Sequence, residues 1–214
     1  MRLDHISYVA SHDQISDVVN RIGSQIGTAF IDGGIHPKFG TRNFTAPLLN
    51  NQYIEVVCPL DHPATDSTPF GRAVKKKAEE GGGWLTWVFS SNNLDLVEVK
   101  FGRSATEGSR IKPDGTELKW KQIGVNEIIG SGELPFFIQW HGGNHPSQDG
   151  IAVAKLIKIS IADCSKLSDS SFKNEITLGL DDIQLEWINP KDNDGFKGIV
   201  AVQLDLNGNA INLY

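Results

Sequence analysis

The segment QYIEVVCPLDHP, residues 52–63, is echoed by PFFIQWHGGNHP, residues 135–146. Tyr53-Ile54-Glu55 stands against Phe137-Ile138-Gln139, and both segments close in His-Pro after a one-residue slip. A separation of roughly eighty residues suits a repeated supersecondary unit. Working backward from the first copy, LDHISYVA (3–10) alternates as a strand, and Ile15, Val18, Val19 and Ile22 recur at helical spacing, with Ser11 or Asp13 available as cap and Gly23 and Gly27 as stop. TAFIDGG and GTRNFTAPLL read as two further strands around the turn HPKFG, and QYIEVVC as a fourth. The order is β-α-β-β-β. Behind the second copy, WLTWVFSS, NNLDLVEVKFG, SRIKPDG and TELKWKQIG repeat the same order.

The expected class is therefore α+β, with repeated β-α-β-β-β modules curling into a cupped, open-barrel mixed sheet and helices outside. Residues 1–61 form the first module, 62–150 a connector helix and the second module, and 151–214 a third, partial module packed on the same domain. The tail is expected to supply a strand AKLIKISIA, a helix beginning near Asp163, a strand DDIQLEWI, a turn NPKDNDG and a final strand pair.

With 214 residues the chain can bury a sizeable core, and hydrophobic and charged shares of 39% and 21% describe a globular protein rather than a disordered one. A net charge of −6 argues against a general nucleic-acid surface, and the one basic run, RAVKKKAEE, reads as a solvated helix face. No apolar run is long enough to span a bilayer, and the start MRLDHISYVASHD lacks the apolar stretch of a signal peptide, so a cytoplasmic location without membrane partners is expected. Cys58 and Cys164 fit no zinc or redox spacing and are expected to be buried thiols. Phosphate-loop and nucleophile-elbow signatures are absent.

LDHISYVA, HPKFGTRN, QYIEVV and PFFIQW followed by HP, in that order, resemble the glyoxalase-like domain proteins of the vicinal oxygen chelate superfamily. The resemblance covers most of the first 150 residues. It implies paired modules whose first and last strands hold a divalent metal, here zinc, iron, manganese or nickel, on His5 and Glu55. It also implies a metal-assisted enzyme of lyase, isomerase or dioxygenase type acting on a small oxygen-rich molecule, and a homodimer formed through sheet edges. The second module departs from the pattern: Gln139 stands opposite Glu55, and about Thr86 opposite His5. His141, two residues beyond Gln139, is then expected to complete a three-ligand set.

Three alternatives remain open for His5: a hydrogen-bonded structural residue, a metal ligand, or a metal-free substrate contact. Glu55, flanked by Tyr53, Ile54, Val56 and Val57, is costly to bury without a partner and is expected to line a pocket, where desolvation without a metal should raise its pKa and suit it as a catalytic general base. Asn43, with Thr41 on its face, is placed to orient substrate, and His36, Gln139 and His145 are further substrate contacts; Arg42 should point to the other side. Trp87, Trp120 and Trp140 are core candidates. The rival to the enzyme is a metal-free protein that binds or sequesters a small molecule, in the manner of bleomycin resistance, favoured by the missing ligands of the second module. A third reading is a structural protein with a vestigial cleft.

Overall fold

The computed structural model describes residues 1–126, 134–162, 176 and 178–214. The first module runs β1 (Arg2–Val9), α1 (Ile15–Ile26), β2 (Ile31–His36), β3 (Thr41–Leu48) and β4 (Gln52–Pro59). Two connector helices follow, α2 (Pro63–Ser67) and α3 (Pro69–Glu79), each with a proline in its first turn and a side-chain cap, from His62 and Thr68. The second module comprises β5 (Gly83–Ser90), α4 (Asp95–Phe101), β6 (Thr106–Ile111), β7 (Glu117–Ile123) and β8 (Phe136–His141). α1 starts later than the sequence suggests: Gln14 is its cap residue and no side chain caps it, whereas Gly27 ends it in the left-handed conformation.

The two modules share one topology. Within each, the first and last strands pair in parallel and the others antiparallel. β1 joins β5, and β2 joins β6, so the eight strands close into a barrel in the order β1-β4-β3-β2-β6-β7-β8-β5. The β2–β6 seam is narrow, with Ile35 opposite Ile111 as its one registered pair. Gly34 makes this approach feasible, because at φ +93° an added Cβ would stand 1.8 Å from the Ile111 carbonyl oxygen.

Strand alternation sorts the core into two parts. Ile54, Val56 and Cys58 of β4 face outward and pack with Ile22 and Ile26 of α1. Val57, on the opposite face, joins Val88, Phe136 and Ile138 inside the barrel, where Phe70 and Val74 of α3 close over them. A second sheet, β10-β9-β11-β12, is formed by β9 (Ala154–Ala162), β10 (Gln184–Ile188), β11 (Gly198–Leu206) and β12 (Asn209–Leu213). Its Leu156, Ile159, Val202 and Leu204 belong to the outer cluster. The helix expected from Asp163 and the thiol Cys164 lie outside the described residues. Among those described, no helix is long and apolar enough to cross a membrane.

Candidate functional site

β1 and β4 are in register at His5 with Tyr53 and Ser7 with Glu55, and these four side chains share the face turned into the barrel. Glu55 is 5% exposed. Its Oε2 accepts from Ser7 Oγ at 2.6 Å and its Oε1 from Asn43 Nδ2 at 2.7 Å. Burial alone would raise its carboxyl; the charge of His5 and His36 and the bonds from Ser7 and Asn43 outweigh that and hold it below the usual carboxylate value. Asn43 passes the chain on, its Oδ1 accepting from Arg110 Nη1 at 2.9 Å. Gly33 leaves room for this pair, since an added Cβ would stand 2.2 Å from Asn43 Oδ1 and 2.3 Å from Arg110 Nη1.

A second polar group surrounds Asp4, which is wholly buried. Asp4 Oδ1 accepts from His5 Nδ1 at 2.8 Å; Oδ2 accepts from His145 Nε2 at 3.0 Å and from Trp140 Nε1 at 3.3 Å. Burial would raise this carboxyl too, but the donors His145 and His5, and their charge, hold it well below the usual range. An ionised carboxylate only accepts, so it is His5 that donates to it, from Nδ1–H, which leaves the Nε2 edge of the ring turned away from Asp4. The ring lies stacked on Tyr53 at 4.4 Å between centroids.

His5, Asn43, Tyr53, Glu55 and Arg110 line a small cavity walled by Phe39, Phe70, Trp120, Phe136 and Trp140. His36 lies in the same wall, its Nδ1 2.9 Å from Thr41 Oγ1. Burial is the main reason its imidazole is lowered to about 4; Arg110 acts in the same sense and Glu55 against it.

The cavity thus brings together His5, His36, Asn43 and Glu55, with Thr41 behind His36. Three expected site residues, Gln139, His141 and His145, are elsewhere. In β8, Phe136, Ile138 and Trp140 face in, so Gln139 and His141 face out. Gln139 Nε2 donates to the Asn92 carbonyl at 2.8 Å, and His141 is 40% exposed and 3.9 Å from Glu107. The backbone shows why: Val88 is in register with Phe136 and Ser90 with Ile138, so the counterparts of His5 and Glu55 are Val88 and Ile138 rather than Thr86 and Gln139. His145 supports Asp4 from behind the cavity, and Arg42 pairs with Asp32 on the outer side. Asp4, Ser7, Tyr53 and Arg110 were not singled out by the sequence reading. The acid beside a strand histidine was a visible signal for the first, but the others carried none.

A divalent metal does not fit this donor set. Both oxygens of Glu55 are engaged, the second module offers valine and isoleucine where donors are needed, and a buried guanidinium shares the cavity. No group of three histidine, cysteine or acidic side chains among the described residues is arranged to hold an ion.

The family model described as Glyoxalase-like domain matches residues 3–166. No curated protein matches the chain. Among solved structures, a hypothetical protein from Staphylococcus aureus shares the fold at a TM-score of 0.56 and 17% identity, over 99% of this chain and 84% of that one. Methylmalonyl-CoA epimerase from Mycobacterium tuberculosis aligns at 0.45 and 14% identity, over 66% and 89%. A hypothetical protein from Bacillus halodurans aligns at 0.44 and 15%, over 67% and 97%. With three quarters of its length matched by one family and its eight barrel strands in two equivalent modules, the chain belongs to the glyoxalase-like domain family of the vicinal oxygen chelate superfamily.

Proposed function

We propose that the protein is a metal-independent small-molecule binder of the bleomycin-resistance type, holding an oxygen-rich ligand between aromatic walls and the polar floor formed by His5, Asn43, Glu55 and Arg110. The observation that carries this reading is the occupation of the second module's ligand positions by Val88 and Ile138. A cytoplasmic location belongs to the same reading. The test is elemental analysis of protein purified without chelator or tag, alongside thermal shifts with small carbonyl, phenolic and carboxylate compounds. The expected result is metal-free protein whose melting temperature rises with at least one compound class whether or not EDTA is present. Near-stoichiometric transition metal that disappears in the His5→Ala, Glu55→Gln double variant would overturn it.

One observation favours an enzyme instead. Asp4 fixes the His5 tautomer from a distance of 2.8 Å, the relation by which a carboxylate orients a general base. In this second reading His5 Nε2 removes a proton from carbon next to a carbonyl, in a lyase or isomerase, while Ser7 and Asn43 keep Glu55 ionised beside the resulting imidazolium. Deuterium incorporation into carbonyl compounds in D2O, followed by NMR, tests it. Exchange abolished by His5→Ala supports the enzyme; rates equal to the solvent blank across the compounds above dismiss it.

A further inference from the structure

Arg110 of β6 is 1% exposed, yet only one edge of its guanidinium is engaged. Nη1 donates to Asn43, whereas Nε and Nη2 are buried and have no hydrogen-bond partner. No carboxylate among the described residues lies within ion-pair distance of it. A buried guanidinium with two idle donors is costly: each unsatisfied charged donor forfeits its hydration, and the charge itself favours neutralisation. Arginine also resists deprotonation, the route by which a lysine would escape that cost.

The idle edge is the informative one. Nε–H and Nη2–H point in parallel, and that fork matches the two oxygens of a carboxylate. Asn43 holds the other edge through Nη1, so the fork is oriented before any ligand arrives. Trp120, Phe136 and Trp140 wall the rest of the cavity and suit an apolar or aromatic body. One guanidinium balances one negative charge, and the Glu55 carboxylate beyond Asn43 already adds another, which disfavours a phosphate dianion.

We propose that Arg110 anchors the carboxylate of a small monocarboxylic ligand whose apolar body lies against the tryptophan and phenylalanine walls. This rests on the small-molecule binding reading above and adds the charge and the anchoring group. The fork donates two hydrogen bonds through Nε and Nη2, Asn43 keeps the guanidinium in place, and Gly33 provides the space for both.

The experiment compares formate, acetate, benzoate and phenylacetate with their amides and with inorganic phosphate, on wild type, Arg110→Lys and Arg110→Gln. Calorimetry and quenching of tryptophan fluorescence report binding, and circular dichroism reports folding. At least one carboxylate should bind wild type about tenfold or more tighter than its amide, from two charge-assisted hydrogen bonds. Arg110→Gln should abolish that preference, and Arg110→Lys, which keeps the charge and loses the fork, should fall between. If Arg110→Gln does not fold, the contrast between carboxylate and amide on wild type and the lysine variant decides. Equal binding of acid and amide overturns the carboxylate anchor and leaves a neutral-ligand pocket standing. Tighter binding of phosphate also overturns it. Absence of binding by every compound overturns the anchor, while the binding reading is decided separately by the carbonyl and phenolic compounds of its own thermal-shift test.

Discussion

His36 stays neutral in the folded protein down to about pH 4, because burial strips its charged form of water. In the unfolded chain it protonates near 6.5, so between those values the unfolded state binds the extra proton and stability falls as pH falls. The shift corresponds to a loss on the order of 3 kcal/mol by pH 4. Asp4 acts in the next window: its folded carboxyl is depressed, so its contribution is present above about pH 4 and is lost as pH drops below that. Urea unfolding at half-unit intervals from pH 7.5 to 3.5 should show the first decline, and His36→Gln should flatten it above pH 4 while leaving the steeper fall below. A variant that declines as wild type does between 6.5 and 4 would assign the slope to other groups. Glu55→Gln makes a separate case. An amide cannot accept from both Ser7 and Asn43, so one buried donor loses its partner, and a cost of about 1–3 kcal/mol is expected in the same assay.

At the scale of elements, the two glycines of β2 have distinct duties, and substitution separates them. Gly34→Ala places a methyl group against the Ile111 backbone and demands a left-handed φ of alanine, so it should open the β2–β6 seam and cost about 2–5 kcal/mol. Gly33→Ala meets the side chains of Asn43 and Arg110 instead, which can move. Its expected effect is a modest loss of stability with a marked loss of carboxylate binding, read by the calorimetry described above. Equal stability losses in both variants would contradict this division. The same strands show where sequence reading succeeds and stops. The family resemblance brought His5 and Glu55 into one site, and the register of β1 with β4 sets both on the face turned into the barrel. The echo of Tyr-Ile-Glu by Phe-Ile-Gln misassigned β8 by one residue, since chemical likeness suggested that match whereas the pairing of Val88 with Phe136 sets the face. Arg110 was invisible for another reason. A charged residue on a hairpin strand reads as surface, and what buries it is Asn43 and Gly33 from the other module, a juxtaposition no local pattern carries.

At the scale of the whole molecule, the barrel's outer face is apolar and depends on the second sheet to cover it. Ile6, Ile54 and Val56 of the barrel, Ile22 and Ile26 of α1, and Ile159, Ile161, Val202 and Leu204 of β9 and β11 form one cluster in which nearly every member is fully buried. Trp84 of β5 also donates through Nε1 to the Leu213 carbonyl at 3.4 Å. Such a face cannot be left to water without a large apolar surface, so residues 151–214 should unfold with the barrel in a single transition. Leu204→Ala, in the second sheet, should then cost about 2–5 kcal/mol and lower the transition seen by the barrel's tryptophans and by circular dichroism equally. Trp187→Phe silences the tryptophan of β10 and leaves the fluorescence of the four barrel tryptophans, Trp84 and Trp87 of β5, Trp120 of β7 and Trp140 of β8, as the probe that separates the alternatives. Coincident curves require the sheet and the barrel to be one cooperative unit, and a chain cut after residue 150 should then aggregate or bind hydrophobic dye. Two separated transitions, with the barrel signal unmoved by Leu204→Ala, would make the sheet a dispensable addition to a self-sufficient binding module.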